Sequence, residues 1–119
     1  MKKGKPLLAP GQAIRNRCLL TYTSNAQRRG IVWSLSDAEF NTLIKGSCHY
    51  CGEPPSRLMT YKGVTGSLTY NGIDRTDNTF GYVSGNVVSC CALCNRCKSN
   101  LPYKQFVAYL RRAGEHLNG

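Results

Sequence analysis

The spacing of apolar and polar residues changes character several times along the 119 positions. Between residues 12 and 29, Ile14, Leu19, Leu20, Tyr22 and Ala26 are interleaved with basic side chains. This mixed pattern predicts a basic helix, weakened by Thr21, Thr23, Ser24 and Asn25 and ended by Gly30. Ile31-Val32-Trp33-Ser34-Leu35 is β-branched and aromatic, which predicts a short strand. Ser36 and Glu39 then form an S-x-x-E capping box, opening a helix at Asp37. Phe40, Leu43 and Ile44 line one face of that helix, and Gly46 closes it. Residues 52–67 are punctuated by Gly52, Pro54, Pro55, Gly63 and Gly66 and read as loop. Leu68-Thr69-Tyr70 and Ile73 predict a strand, and Asn86-Val87-Val88-Ser89 its return after a polar loop through Gly81 and Gly85. A helix is predicted from Ala92 to about Ser99. A last one, over about 102–113, has Pro102 in its first turn. Tyr103, Phe106, Val107 and Leu110 face inward there, with Arg111 and Arg112 outward.

These elements fit a single domain over residues 12–119, preceded by a basic flexible arm over 1–11. A domain of this size buries a modest core and often needs a staple. Sixteen Lys and Arg oppose six Asp and Glu, for a net charge of +10. Residues 1–33 hold seven of those basic residues and no acid. A field of that sign attracts polyanions and points to nucleic acid as the partner. No basic amphipathic helix with a bulky apolar face competes for a membrane, and no apolar run is long enough to span one. The segment MKKGKPLLAP has no secretory h-region, so the expectation is a protein that is not secreted.

Seven cysteines without such a region argue against a closed disulfide framework. Cys48-His49-Tyr50-Cys51 and Cys91-Ala92-Leu93-Cys94 are two C-x-x-C knuckles. Each places two thiolates on one tight turn, and the pair predicts a four-thiolate structural zinc site. Its binding energy would then be folding energy. Cys18, Cys90 and Cys97 are left as small buried hydrophobes or spectators, though Cys90 could replace Cys91 at a less usual x3 spacing to Cys94, and His49 is the other alternative ligand.

The stretch Asn71-Gly72-Ile73-Asp74-Arg75-Thr76-Asp77-Asn78 concentrates acid and amide in a chain with little acid elsewhere. Asn95 follows the second knuckle directly. Fixed there by zinc, it can face Asp74. One carboxylate and one amide oxygen, with waters and phosphate oxygens, suit Mg²⁺ or Mn²⁺. Asp77 and Asn78 also have a simple reading as turn-stabilising Asx residues.

In this order, Cys48-x-x-Cys51, Asn71-Gly72-Ile73-Asp74-Arg75-x-Asp77-Asn78, Gly81-Tyr82, Asn86-Val87-Val88 and Cys91-x-x-Cys94-Asn95-x-x-Lys98 resemble the HNH endonucleases. The likeness is to their zinc-stapled branch, common in phages and among homing and restriction enzymes. It covers about residues 48–99, and residues 26–46 are similar to the leader segment of phage members. The resemblance implies an α+β fold: a small zinc-stapled ββα-metal (His-Me finger) domain with flanking helices. It implies metal-dependent hydrolysis of DNA phosphodiester bonds, by nicking or double-strand cleavage. Asp74 and Asn95 match the catalytic-metal ligands, Asn86 the residue that pins the loop between the strands, and the four cysteines the structural zinc site.

Arg75 departs from the pattern, since most members have His there to activate water. An arginine cannot readily accept a proton. Three explanations stand: Arg75 clamps the scissile phosphate, the enzyme is degenerate and only binds DNA, or Arg75 merely pairs with Asp77. Under the first, the base is His49, Tyr50, Tyr70 or metal-bound hydroxide. Arg15, Arg17, Arg28, Arg29, Arg96 and Lys98 are the candidate DNA contacts. Duplex DNA is the expected partner, with RNA and a homodimer left open. The expected location is the cytoplasm of a bacterial or phage-infected cell, or its nucleoid. A non-catalytic zinc module that binds nucleic acid is the alternative, and a zinc-stapled protein-interaction module a third.

Overall fold

The computed structural model describes residues 11–119, so all of the basic arm except Gly11 lies outside the described residues. The chain runs α1 (Gln12–Arg28), α2 (Asp37–Lys45), β1 (Arg57–Tyr61), β2 (Val64–Tyr70), β3 (Gly72–Arg75), β4 (Val87–Cys90), α3 (Ala92–Lys98) and α4 (Tyr103–Asn118). The expected α+β class holds, with two separate antiparallel hairpins, β1–β2 and β3–β4. None of the described helices is long and apolar enough to cross a membrane.

The α1 helix forms despite its weak propensity because a stripe at four-residue spacing is buried. Ile14, Cys18 and Ala26 are buried, and Tyr22 packs on the core between the last two. Tertiary packing outweighs the β-branched and polar residues here. Thr21 and Thr23 satisfy their hydroxyls on the carbonyls of Arg17 and Leu20 within the helix. α2 opens on the capping box that its sequence predicts, with both reciprocal bonds present. Its buried Phe40 and Ile44 join Cys18, Tyr70 and Ile73 in one core cluster, against which Tyr22, Trp33 and Tyr82 also pack.

Two expectations are corrected. Residues 31–35 do not form a strand: Trp33 makes one isolated parallel bridge to Tyr82. The partner segment turns away at once, with the Val83 amide donating to the Gly81 carbonyl. The approach is close enough that a Cβ on Gly81 would lie 2.4 Å from the Val32 carbonyl oxygen, so only glycine fits. Residues 52–67 are not mainly loop either, since β1 and most of β2 lie within them. Gly63, at φ +80°, is the turn glycine of this hairpin rather than a breaker. Met59 pairs with Leu68, and both pack on the first core beneath α1. Arg57, Thr60, Thr65 and Ser67 mask the alternation in sequence.

The β3–β4 register pairs Gly72 with Cys90, Ile73 with Ser89, Asp74 with Val88 and Arg75 with Val87. β4 therefore begins one residue after the predicted start, and Asn86 belongs to the loop. α3 follows directly, capped by the Cys91 sulfur, which accepts from the Cys94 amide. α4 extends to Asn118, beyond the predicted end near 113, and Pro102 is its N-cap rather than its first turn. Phe106 of α4 is fully buried against Cys48, Cys90, Cys91 and Cys94, making a second core.

Candidate active site and zinc centre

The two knuckles meet as the spacing requires. The sulfurs of Cys48, Cys51, Cys91 and Cys94 all lie within 4.8 Å of one another. Tetrahedral zinc with Zn–S bonds of about 2.3 Å separates its sulfurs by about 3.8 Å. The Cys51–Cys91 sulfur separation is 3.7 Å, and no cysteine among the described residues is in a disulfide. The four thiols thus fit a zinc ion. Burial raises the Cys51 and Cys94 thiols, and the sulfurs crowded around them add to the rise. Burial also pushes Cys48 upward, but amide bonds from Cys91, Cys51 and Tyr50 outweigh it and bring the thiol down to about 7. Cys48 is the readiest of these three to ionise, and Cys51 and Cys94 need a cation to give up their protons. The remaining cysteines divide: Cys18 and Cys90 are buried and Cys97 is exposed.

The first knuckle also delivers Tyr50 to Asp74. Tyr50 stacks edge-on against Phe106, with ring centroids 4.9 Å apart. Its hydroxyl donates to Asp74 Oδ2 at 2.6 Å. Burial raises the Tyr50 phenol far above its ordinary value, and the bond to Asp74 raises it further, so it stays protonated and donating. From α3, Lys98 reaches Asp74 Oδ1 and the Arg75 carbonyl, each at 3.4 Å. Lys98 is completely buried. The expectation of a phosphate-contacting Lys98 on an open helix face is therefore corrected: it is an internal counter-charge. Asp74 itself is 7% exposed and holds that residual surface toward a cleft.

That cleft encloses about 390 Å³ between α1, β1, β3 and the middle and end of α3. Asp74, Arg75, Asn95, Tyr70, Arg29 and Arg57 are among its lining residues. Asp74 and Asn95 thus share one cavity although 21 positions separate them in sequence. Asn95 is exposed, and its amide nitrogen donates to the Cys91 carbonyl as the first turn of α3 forms. An acid and an amide oxygen at one cleft fit a hard cation that keeps several waters.

Arg75 does not pair with Asp77. Its Nη1 donates to the carbonyls of Asn78 and Phe80 at 3.0 and 2.9 Å, and its guanidinium lies 5.5 Å from the Tyr82 ring centroid. Asp77 instead caps its own turn, accepting from the Thr79 amide and hydroxyl. Asn86 makes four bonds across the same loop. Its Oδ1 accepts from the Thr76 hydroxyl and the Asp77 amide, and its Nδ2 donates to the carbonyls of Asp77 and Gly81.

The three candidate bases separate. His49 Nε2 is 2.7 Å from the Tyr103 hydroxyl and lines a different cleft, against α4. Tyr50 is committed to Asp74. Tyr70 lines the Asp74 cleft, and burial raises its phenol, so it holds its proton at neutral pH. The candidate DNA contacts also divide. Arg28, Arg29 and Arg96 are exposed, and Arg17 stacks 3.8 Å over Tyr61. Arg15 is buried, bonded to Asn41 at 2.6 Å and paired with Asp37 at 3.2 Å, so it ties α1 to α2 rather than facing a polyanion. Sequence reasoning missed Arg57, because it sits in the stretch read as loop.

No family model matches the chain. Over 88 residues, 74% of its length, the chain is 34% identical to an uncharacterised protein of Acanthamoeba polyphaga mimivirus, R423. It spans 14% of that relative, a small part of a much longer protein. Among solved structures, that of the rare-cutting HNH restriction endonuclease PacI matches with a TM-score of 0.63, covering 86% of this chain and 78% of that one. Sequence identity there is 22%, so the likeness is one of fold. This chain shares the small α+β fold of that HNH endonuclease, and its four clustered cysteines sit where a structural zinc would staple it.

Proposed function

We propose that this chain is a DNA endonuclease that hydrolyses phosphodiester bonds with the help of a divalent cation. One observation carries the reading. Asp74 is held from behind by Tyr50 and Lys98 and shows its remaining face to a cleft shared with Asn95 and Arg75. A buried acid with two assigned donors is a positioned ligand, not a turn cap. Asp74 and Asn95 would hold Mg²⁺ or Mn²⁺. Bound there, such an ion supplies Lewis acidity, acidifying a water and offsetting charge on the phosphate.

The chain's own residues do the rest. Lys98 already neutralises Asp74, so the two-residue donor set is short of negative charge. Asp74 and Asn95 would therefore hold a cation weakly by themselves, and a phosphate beside them would strengthen the site. Arg75 is anchored through Nη1 on the loop that Asn86 braces, which fixes the rest of its guanidinium for a phosphate. Tyr70 and Tyr50 keep their protons at neutral pH and serve as donors. The fold shared with an HNH restriction endonuclease supports DNA as the substrate, as does the net charge of +10.

The replacement of the usual histidine by Arg75 favours one other reading, a domain that binds DNA without cutting it. Supercoiled plasmid incubated with Mg²⁺ or Mn²⁺ separates the two. Nicking that disappears in Asp74→Ala and Asn95→Ala, with zinc content unchanged, supports the nuclease. Salt-sensitive binding with no nicking under either metal supports the binding module.

A further inference from the structure

The cleft that holds Asp74 has a second wall, made by α1 and β1. Arg57, at the start of β1, pairs in register with Tyr70, and its guanidinium lies 5.1 Å from that ring's centroid. It is half-buried. The β3 backbone passes very close by. A Cβ on Gly72 would stand 3.2 Å from Arg57 Nη1 and 2.8 Å from the Tyr22 hydroxyl. Glycine at 72 therefore lets Arg57 lie across the head of the strand that carries Asp74. Burial raises the Cys18 thiol and the Tyr22 and Tyr70 phenols that surround it, and the Arg57 charge pulls each back down, as a cation lodged among them must.

Arg57 lacks an anion. The two ion pairs among the described residues are Arg15–Asp37 and Lys98–Asp74. None of the five guanidinium N–H groups of Arg57 finds an acceptor among those residues, whereas Nη1 of Arg75 has two. A half-buried cation with unused donors, aimed into a polar cleft, is unfavourable alone and well suited to two oxygens of one phosphate. Arg29 lines the same cleft from the end of α1, so the wall facing Asp74 and Asn95 presents two arginines.

We propose that Arg57 is a substrate-contacting residue that grips a backbone phosphate beside the scissile one, Arg29 supporting it at the rim. The assignment rests on the nuclease reading above and deepens it. The strand being cut lies between two walls: Arg75 and Asn95 on the ββα side, and Arg57 on the hairpin side. The β1–β2 hairpin is then part of the substrate cleft rather than an ornament on the core.

The test reads binding apart from cleavage. Affinity of the full chain for a short fluorescent DNA duplex is measured by anisotropy over a series of salt concentrations, without added Mg²⁺ or Mn²⁺. Arg57→Met keeps an apolar stem against Tyr70 and should flatten the slope of log affinity against log salt by about 0.9, the loss of one phosphate contact. Arg57→Lys should restore the slope but not the full affinity, since it supplies a point charge without the fork. Arg111→Met, on the outer face of α4, should leave the slope alone. An Arg57→Met slope equal to wild type overturns the assignment and leaves the nuclease reading intact. Wild-type protein that binds no duplex overturns both. Should Arg57→Met fail to fold by circular dichroism, dicarbonyl labelling of wild-type arginines decides. Protection of Arg57 by duplex supports the contact, and equal labelling with and without DNA refutes it.

Discussion

The two cores of this domain are built from different materials. The first is aromatic and aliphatic: Phe40, Ile44, Tyr70 and Ile73, with Tyr22, Trp33 and Tyr82 around them. Its cohesion is ordinary burial and ring packing, spread over many residues. The second contains Cys48, Cys90, Cys91 and Cys94 around Phe106, with Tyr50 and Leu110 at its edge. Three of its cysteines, with Cys51, form the cluster that fits a zinc ion, and we propose that such an ion holds the knuckles together. The β3–β4 hairpin lies between the two. Ile73 packs into the first core, while Asp74, the next residue, is bonded by Tyr50 at the edge of the second and by Lys98 of α3. Alternation along one strand thus ties the aromatic core to the sulfur-rich one, and the candidate catalytic acid stands where they meet.

Removing the ion should break the comparison most strongly. Structural zinc contributes on the order of 10 kcal/mol to small metal-stapled domains. That rivals the whole stability of about 5–15 kcal/mol expected of a domain. A strong chelator, or Cys94→Ser, should abolish cooperative unfolding in a circular dichroism melt, with zinc lost by elemental analysis. Acid should act in the same direction, since thiolates must be protonated as zinc leaves. A sharp, native-like melt without zinc would show that the sulfur core stands without a staple.

Asp74→Ala should lower cleavage by on the order of 10³-fold while the protein keeps its zinc, because only the cleft is altered. On the stability axis, Phe40→Ala should remove about 3–5 kcal/mol from the aromatic core and leave zinc stoichiometry unchanged. Lys98→Met tests the junction itself. It leaves a buried carboxylate with one donor and should destabilise the domain by about 3 kcal/mol in urea unfolding. The same variant should also weaken the dependence of cleavage on substrate for metal retention, seen as a lower Mg²⁺ requirement, because Asp74 is no longer neutralised. Ser36→Ala, at the N-cap of α2 and outside the Asp74 cleft, should cost about 1 kcal/mol through the lost cap and leave cleavage rates at wild-type values.

Signals confined to a few neighbouring residues were legible in the sequence. The α2 capping box and the two knuckles are each specified by short spacings and local geometry, while the Asn86 loop brace was implied only by the resemblance to the HNH endonucleases. The four sulfurs converge because each knuckle holds two of them on one tight turn and the fold brings the two turns together. The β1–β2 hairpin was obscured because its outward face is polar and its turn is Lys62-Gly63 rather than a strong Asn-Gly signal. The segment at Trp33 has strand-forming residues, yet a ladder needs a partner, and Tyr82 supplies a single bridge.

What the chain determined by itself, then, is which residues are candidates for the chemistry: the cysteines, Asp74, Asn95 and the excess of basic side chains. Tertiary structure alone decided how those charges are spent. Arg15 and Lys98 read as surface cations, and the fold buries both, one against Asp37 and one against Asp74. Arg57 read as part of a loop, and the fold leaves it open in the cleft. Lysine and arginine side chains reach several ångströms from the backbone. Whether such a group meets a carboxylate or an empty cleft depends on which distant segment lies beside it, and sequence spacing does not encode that.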